Sequence, residues 1–180
     1  MTINRRPNSL RHPRAEYSDP GAYFVTLCTQ GRHPIFGEIN DGKFDGNDYS
    51  RIVWEIWRSI PDRYPQISID AAIVMPNHFH GIIIIHEEKS PVGAIHELPL
   101  QNVNNRELSL RAKRRLMTIP LVVGYLKMNS AKQINTLRGT PGDRLWQRGY
   151  YDRIVRIEKE YNALTEYILT NPERWGVDQD

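Results

Sequence analysis

The chain has 180 residues, 39% hydrophobic and 25% charged, with a formal net charge of +3. That length supports one domain with a real core, and no apolar run approaches the roughly 20 residues of a membrane helix. The single cysteine, Cys28, excludes an internal disulfide and a cysteine-built zinc site.

In chain order, "MTINRRPNSLRHPR" comes first. It carries Arg5, Arg6, Arg11 and Arg14 and lacks the apolar segment of a secretory signal, so the chain reads as cytoplasmic. "GAYFVTLCTQ" (21–30) is β-branched and aromatic and reads as a strand. "GRHPIFGEIN" and "DGKF" then read as a hairpin, with Asp41-Gly42 as its turn. "DYSRIVWEIWRSIPDRY" sets Ile52, Ile56 and Ile60 at helical spacing, and Pro61 is expected to end that first helix. Trp54 and Trp57 are assigned to its packing.

"QISIDAAIVM" and "HFHGIIIIH" are apolar runs joined by Pro76-Asn77. They read as adjacent antiparallel strands in the middle of a sheet, the second buried on both faces beyond His80. From Glu87 to Arg106 periodicity is lost, and residues 87–106 are expected to form a flexible loop or insertion. A helix resumes near "LRAKRRLMTI", with Pro120 interrupting it. "LVVGYLKMNSAKQINTLRG" continues as a helix that stops at Gly139, and "EKEYNALTEYILTNP" is a last helix with Asn171 near its C-terminal end. Strands with helices packed on them imply an α+β fold, and a ferredoxin-like arrangement is compatible with the order.

The chemistry concentrates in two places. Side chains alternate along a strand, so His78 and His80 share a face, with Cα atoms roughly 7 Å apart. Such a pair either converges on one divalent ion or is simply hydrogen-bonded at a strand start. His86 has the same parity but lies too far along the strand and reads as a surface residue. On the last helix, Ile157, Tyr161, Leu164 and Ile168 form an apolar stripe. Tyr167 and Asn171 lie four residues apart beside it. Asn171 is either a helix cap or an oxygen ligand, and Tyr167 either packs at the edge or faces a substrate. Arg111, Lys113, Arg114 and Arg115 form a basic cluster of the kind that attracts phosphate backbones or lies solvated.

"MPNHFH" before an aliphatic strand, "LWQRGYYDRIVR" and "YILTNP" occur in the order found in the single-tyrosine HUH transposases. The chain most resembles the REP-associated tyrosine transposases, over roughly Arg11–Val177 without Glu87–Arg106. "SPVGAIHELPLQ" has no counterpart in that family, and the chain ends soon after "NPERWGVD", where many members continue. The resemblance implies one HUH domain over residues 1–180, with a ferredoxin-like central antiparallel sheet and packed helices. It implies His78, His80 and Asn171 as ligands of Mg²⁺ or Mn²⁺, and Tyr167 as nucleophile in preference to Tyr150, Tyr151 and Tyr161. It gives Trp146 and Gln147 a structural or DNA-facing role. The implied substrate is single-stranded DNA bearing hairpins, cut and rejoined through a 5′-phosphotyrosine. Arg111, Lys113, Arg114 and Arg115 would grip phosphates, with Arg148 and Arg153 flanking the active-site side. The protein would be nucleoid-associated, off the membrane, and a monomer or homodimer. Two other readings stand beside this one: a non-catalytic nucleic-acid-binding regulator derived from a transposase, and a metal-dependent hydrolase of a small substrate.

Overall fold

The computed structural model describes residues 19–87 and 117–175. The two basic clusters (Arg5–Arg14 and Arg111–Arg115), the start of "LRAKRRLMTI" and nearly all of the 87–106 segment lie outside the described residues. No described helix is long and apolar enough to cross a membrane.

The elements are β1 (Gly21–Cys28), β2 (Gly37–Asn40), β3 (Lys43–Gly46), α1 (Asp48–Arg58), α2 (Ile60–Arg63), β4 (Ile67–Met75), β5 (His78–Ile85), α3 (Thr118–Arg138), β6 (Tyr151–Val155) and α4 (Glu158–Leu169). Short 3₁₀ turns occupy Gln30–Arg32 and Asn171–Arg174. The main sheet has the order β4-β5-β1-β6, every pair antiparallel. With crossovers through α1 and α3, this is the ferredoxin-like βαββαβ arrangement that the element order allowed. β5 is central, as its unbroken apolar run requires, whereas β4 is an edge strand rather than a middle one.

Local chemistry accounts for the boundaries. The β2–β3 turn holds Asp41 at φ 51° and Gly42 at φ 71°, the two left-handed residues of a type I′ turn. Asn47 caps α1 by accepting from the backbone N–H groups of Tyr49 and Ser50. Pro61 does not simply stop that helix. The chain breaks at Ser59 and Pro61 then opens α2, a position that needs no N–H. Pro120 likewise falls in the first turn of α3 and does not interrupt it. Gly139 ends α3 at φ 67°, with Thr140 N donating to Asn135 O at 2.9 Å.

The sheet separates two cores. On one face Tyr23, Val25, Leu27, Phe79 and Ile83 pack against α1 and α3. On the other, Phe24, Ile82 and Val155 pack against Ile168 of α4. Trp57 lies on Phe79 with ring centroids 4.9 Å apart, and the strand beneath it carries Gly81. A Cβ at Gly81 would meet Trp57 Cη2 at 2.8 Å and Phe79 Cζ at 2.9 Å, so the bare backbone is what lets α1 approach. Gly81→Ala is expected to destabilise the fold by about 1–3 kcal/mol through overpacking, read as a lower urea midpoint at unchanged slope.

Candidate metal and tyrosine site

His78 and His80 begin β5, opposite Cys28 and Thr26 of β1 and opposite Met75 and Ile73 of β4. Being two residues apart, they point to the α4 face of the sheet, and their ring centroids lie 4.6 Å apart. Each ring is held through Nδ1. His78 Nδ1 lies 2.7 Å from Asn77 Oδ1. A carbonyl-type oxygen only accepts, so Nδ1 carries the proton and Nε2 keeps the lone pair. His80 Nδ1 lies 2.8 Å from Thr26 Oγ1, which leaves its Nε2 uncommitted to the strand. Ring contacts complete the fixing: His80 stacks on Phe24 at 5.2 Å and His78 on Trp175 at 6.0 Å.

Helix α4 crosses this face and is pinned at its start to both sheet edges. Tyr161 donates from its hydroxyl to Asp70, which sits where the register of β4 shifts between Ile69 and Ala72. Glu160 pairs with Arg153 of β6 and accepts from the backbone N–H of Arg156 at 3.0 Å. So fixed, the helix brings Tyr167 to 5.4 Å from the His80 ring and 6.4 Å from Phe24. The helix ends at Leu169, with Thr170 as its cap. Asn171 therefore does not lie on the helix as its spacing suggested. It opens the following 3₁₀ turn, where Pro172 takes the early position. That turn buries Asn171 to 5% exposure and sets its side chain in a hydrogen bond with His78.

A cleft of about 290 Å³ opens here, lined by both histidines, Tyr167, Asn171, Arg32 and Arg174 among others. Burial pushes His78 down to about 4, assisted by the Arg32 charge and opposed by the Asn171 hydrogen bond. Burial pushes His80 down to about 3, with His78 adding to the effect. Both imidazoles are thus neutral near pH 7, the form that donates a lone pair. Burial also pushes the Cys28 thiol up, which disfavours a thiolate in the cleft.

No group of three His, Cys, Asp or Glu side chains that could hold a metal occurs among the described residues. Any ion here would have to take the two imidazoles and complete its protein shell with an amide oxygen. The donors fit that need: two Nε2 atoms and the buried amide of Asn171, all uncharged. Two imidazoles and one amide oxygen are a donor set for a divalent ion whose other positions are filled by substrate oxygens and water, without selecting which ion.

No family model matches the chain. A Haemophilus influenzae protein (strain Rd), itself uncharacterized, is 36% identical over 176 residues, covering 98% of this chain and 92% of its own length. The two chains belong to one family. Among solved structures, a REP-associated tyrosine transposase bound to a REP hairpin matches with a TM-score of 0.59 at 16% identity, over 93% of this chain and 75% of that one. The chain has the fold of that HUH transposase. A candidate transposase from Deinococcus radiodurans R1 aligns with a TM-score of 0.46 at 17% identity, over 90% of this chain and 98% of that one.

Within this transposase fold, His78, His80, Tyr167 and Asn171 come together although they lie up to 93 positions apart in the chain. Of the other candidates, Tyr161 is occupied by Asp70 and Tyr150 packs against the opposite core, while Tyr151 stands beside the site, paired with Thr26 and edge-on to Phe24, without lining the cleft. Trp146 is structural, buried with its indole N–H donating to Ser130 Oγ at 2.9 Å. Ile157 is 62% exposed and outside the apolar stripe, because it precedes the helix as its cap. His86 is exposed and bonds Ser68. Arg153 is engaged by Glu160, and neither it nor Arg148 lines the cleft. Sequence reasoning missed Thr26, Asn77, Arg32, Arg174 and Trp175. Asn77 and Trp175 lie inside quoted stretches, but Thr26 becomes visible only through the pairing of β1 with β5, and Arg32 through the turn that follows β1.

Depressed histidines carry a stability consequence. In the unfolded chain they titrate near 6.5, above their folded values of about 4 and about 3. Below pH 6.5 the unfolded state therefore binds more protons, and stability falls as pH falls. Metal-free protein should lose up to about 1.4 kcal/mol per pH unit per histidine between pH 6.5 and pH 4. Urea titrations of wild type and of the His78→Gln/His80→Gln variant should show the steeper acid loss in wild type.

Proposed function

We propose that the protein is a single-strand DNA nickase and strand transferase that works through a tyrosyl–DNA intermediate. The observation that carries this reading is the meeting of the Tyr167 ring with the neutral His78–His80 pair and buried Asn171 in one cleft. The fold supports it independently, since the matching transposase was solved with a REP hairpin.

In this reading His78, His80 and Asn171 hold a divalent cation, Mg²⁺ or Mn²⁺, which when bound neutralises charge on the phosphate under attack. Because all three ligands are uncharged, they leave the full cationic charge available to the substrate. Asn77 fixes the tautomer that leaves the lone pair on Nε2 of His78, and Thr26 holds the His80 ring in place through Nδ1. The Tyr167 hydroxyl oxygen forms a bond to phosphorus and the bond from phosphorus to the 3′-oxygen breaks. The phenol gives up its proton and the departing oxygen gains one, leaving a 5′-phosphotyrosine and a free 3′-hydroxyl. One ester replaces another, so a second 3′-hydroxyl can reverse the step and join strands without a nucleotide cofactor. The substrate class is single-stranded DNA carrying a hairpin. One HUH domain does the work, as a monomer or a homodimer on nucleoid DNA in the cytoplasm, with residues 87–106 as a loop or insertion. Arg111, Lys113, Arg114 and Arg115, with Arg148 and Arg153, are the proposed phosphate contacts outside the cleft.

Incubation with 3′-labelled hairpin oligonucleotides from the surrounding genome and Mn²⁺ should yield an SDS-resistant protein–DNA adduct. Tyr167→Phe should abolish the adduct while DNA binding is kept. His78→Ala or Asn171→Ala should reduce it at least 100-fold. Tight binding without any adduct would favour the regulator reading, and loss of the adduct in Tyr151→Phe instead would move the nucleophile.

A further inference from the structure

The cleft contains a pair of cations that the tyrosine chemistry does not use. Arg32 enters it from the 3₁₀ turn after β1, and Arg174 from the turn that carries Asn171. Both are exposed residues at the rim, and neither has a carboxylate partner within 4 Å among the described residues. Among the described residues no acidic side chain lines the cleft.

Two positions separated by 142 residues in sequence thus converge on a cleft whose other groups are neutral. Both guanidiniums stand at the mouth of the cleft with their donors uncommitted to a carboxylate among the described residues. The arrangement suits an anion that enters from outside. A guanidinium matches a phosphate by a fork of two N–H donors, where an ammonium offers only a point charge.

We propose that Arg32 and Arg174 form a two-sided clamp for a DNA phosphodiester, seating the backbone across the His78–Tyr167 cleft before any bond is made. This rests on the nickase reading for its substrate, yet it makes a separate claim about binding. Arg32 enters from beside β1 and Arg174 from the segment after α4, so the clamp joins the strand side of the site to the tyrosine side. Trp175, stacked on His78, is adjacent to Arg174 and fixes the end of that segment. The arginines are positioning residues: they orient the phosphate and neutralise it without exchanging a proton.

The test uses the full chain carrying Tyr167→Phe, so that no covalent adduct forms, with EDTA present and fluorescein-labelled dT12 as the probe. Anisotropy titrations across a salt series give affinity and its salt slope. Arg32→Gln and Arg174→Gln should each weaken binding about 3- to 10-fold. Each should also lower the slope of log affinity against log salt by about 0.7, the value for one lost phosphate contact on a single strand. Arg32→Lys and Arg174→Lys should keep the slope, and Arg58→Gln, at a distant exposed arginine on α1, should change nothing. Unchanged affinity and slope in the Arg32→Gln/Arg174→Gln double variant, with its melting curve intact, would overturn the clamp. The chemistry is read separately, with the Tyr167-containing protein, hairpin DNA and Mn²⁺. Absence of an adduct there, with the slope changes present, removes the nickase reading and leaves the clamp. An adduct with no slope change does the reverse.

Discussion

The site depends on keeping two imidazoles neutral and correctly turned inside a folded sheet. Buried polar rings are costly unless their hydrogen bonds are made, and here each ring uses Nδ1 for that purpose, His80 with Thr26 and His78 with Asn77. Beyond those bonds His78 meets the side chain of Asn171, while Nε2 of His80 is left uncommitted among the described residues. Burial keeps protons off both rings near neutral pH, so the pair offers lone pairs where an exposed pair would titrate in the physiological range.

The rest of the architecture follows from where that pair sits. β5 is the inner partner of β4, and its isoleucines hold it against two cores. Gly81, immediately after His80, lets Trp57 close one face, so the strand cannot shift its register to relieve the histidines. On the other face α4 is tied to Asp70 at one sheet edge and to Arg153 at the other. Those ties lie in its first turns, while Tyr167 and Asn171 come at its far end. The β2–β3 hairpin lies against that end, β3 neighbouring the turn that holds Asn171, and a Cβ placed on Gly42 would come within 3.7 Å of Glu173. A helix secured at its start and braced beyond its end can present a ring and an amide to the histidines with little freedom to drift.

Much of this was legible in the residues. The alternation rule put His78 and His80 on one face, and the I′ turn and the left-handed glycine after α3 were readable from Asp41-Gly42 and Gly139. What local patterns could not supply was the breaking of periodicity by proline. Pro61 and Pro120 read as stops, yet each opens a helix, because a proline's missing N–H costs nothing in a first turn. The same effect moved Asn171 off α4 and into a 3₁₀ turn. Thr26 meets His80 by strand pairing, and partners 54 positions apart leave no trace in spacing; Arg32 reaches the cleft only because the turn after β1 folds beside it.

The central claim is that the neutral triad of His78, His80 and Asn171 holds a divalent cation within reach of Tyr167. Crystals soaked in MnCl₂ and measured at an X-ray energy just above the manganese K edge test it directly. The account predicts one strong anomalous peak bonded to Nε2 of His78, Nε2 of His80 and the side-chain oxygen of Asn171, with the Tyr167 ring beside it. A cleft with no peak at saturating manganese, or an ion held elsewhere while the histidines keep their bonds to Asn77, Asn171 and Thr26, would contradict it.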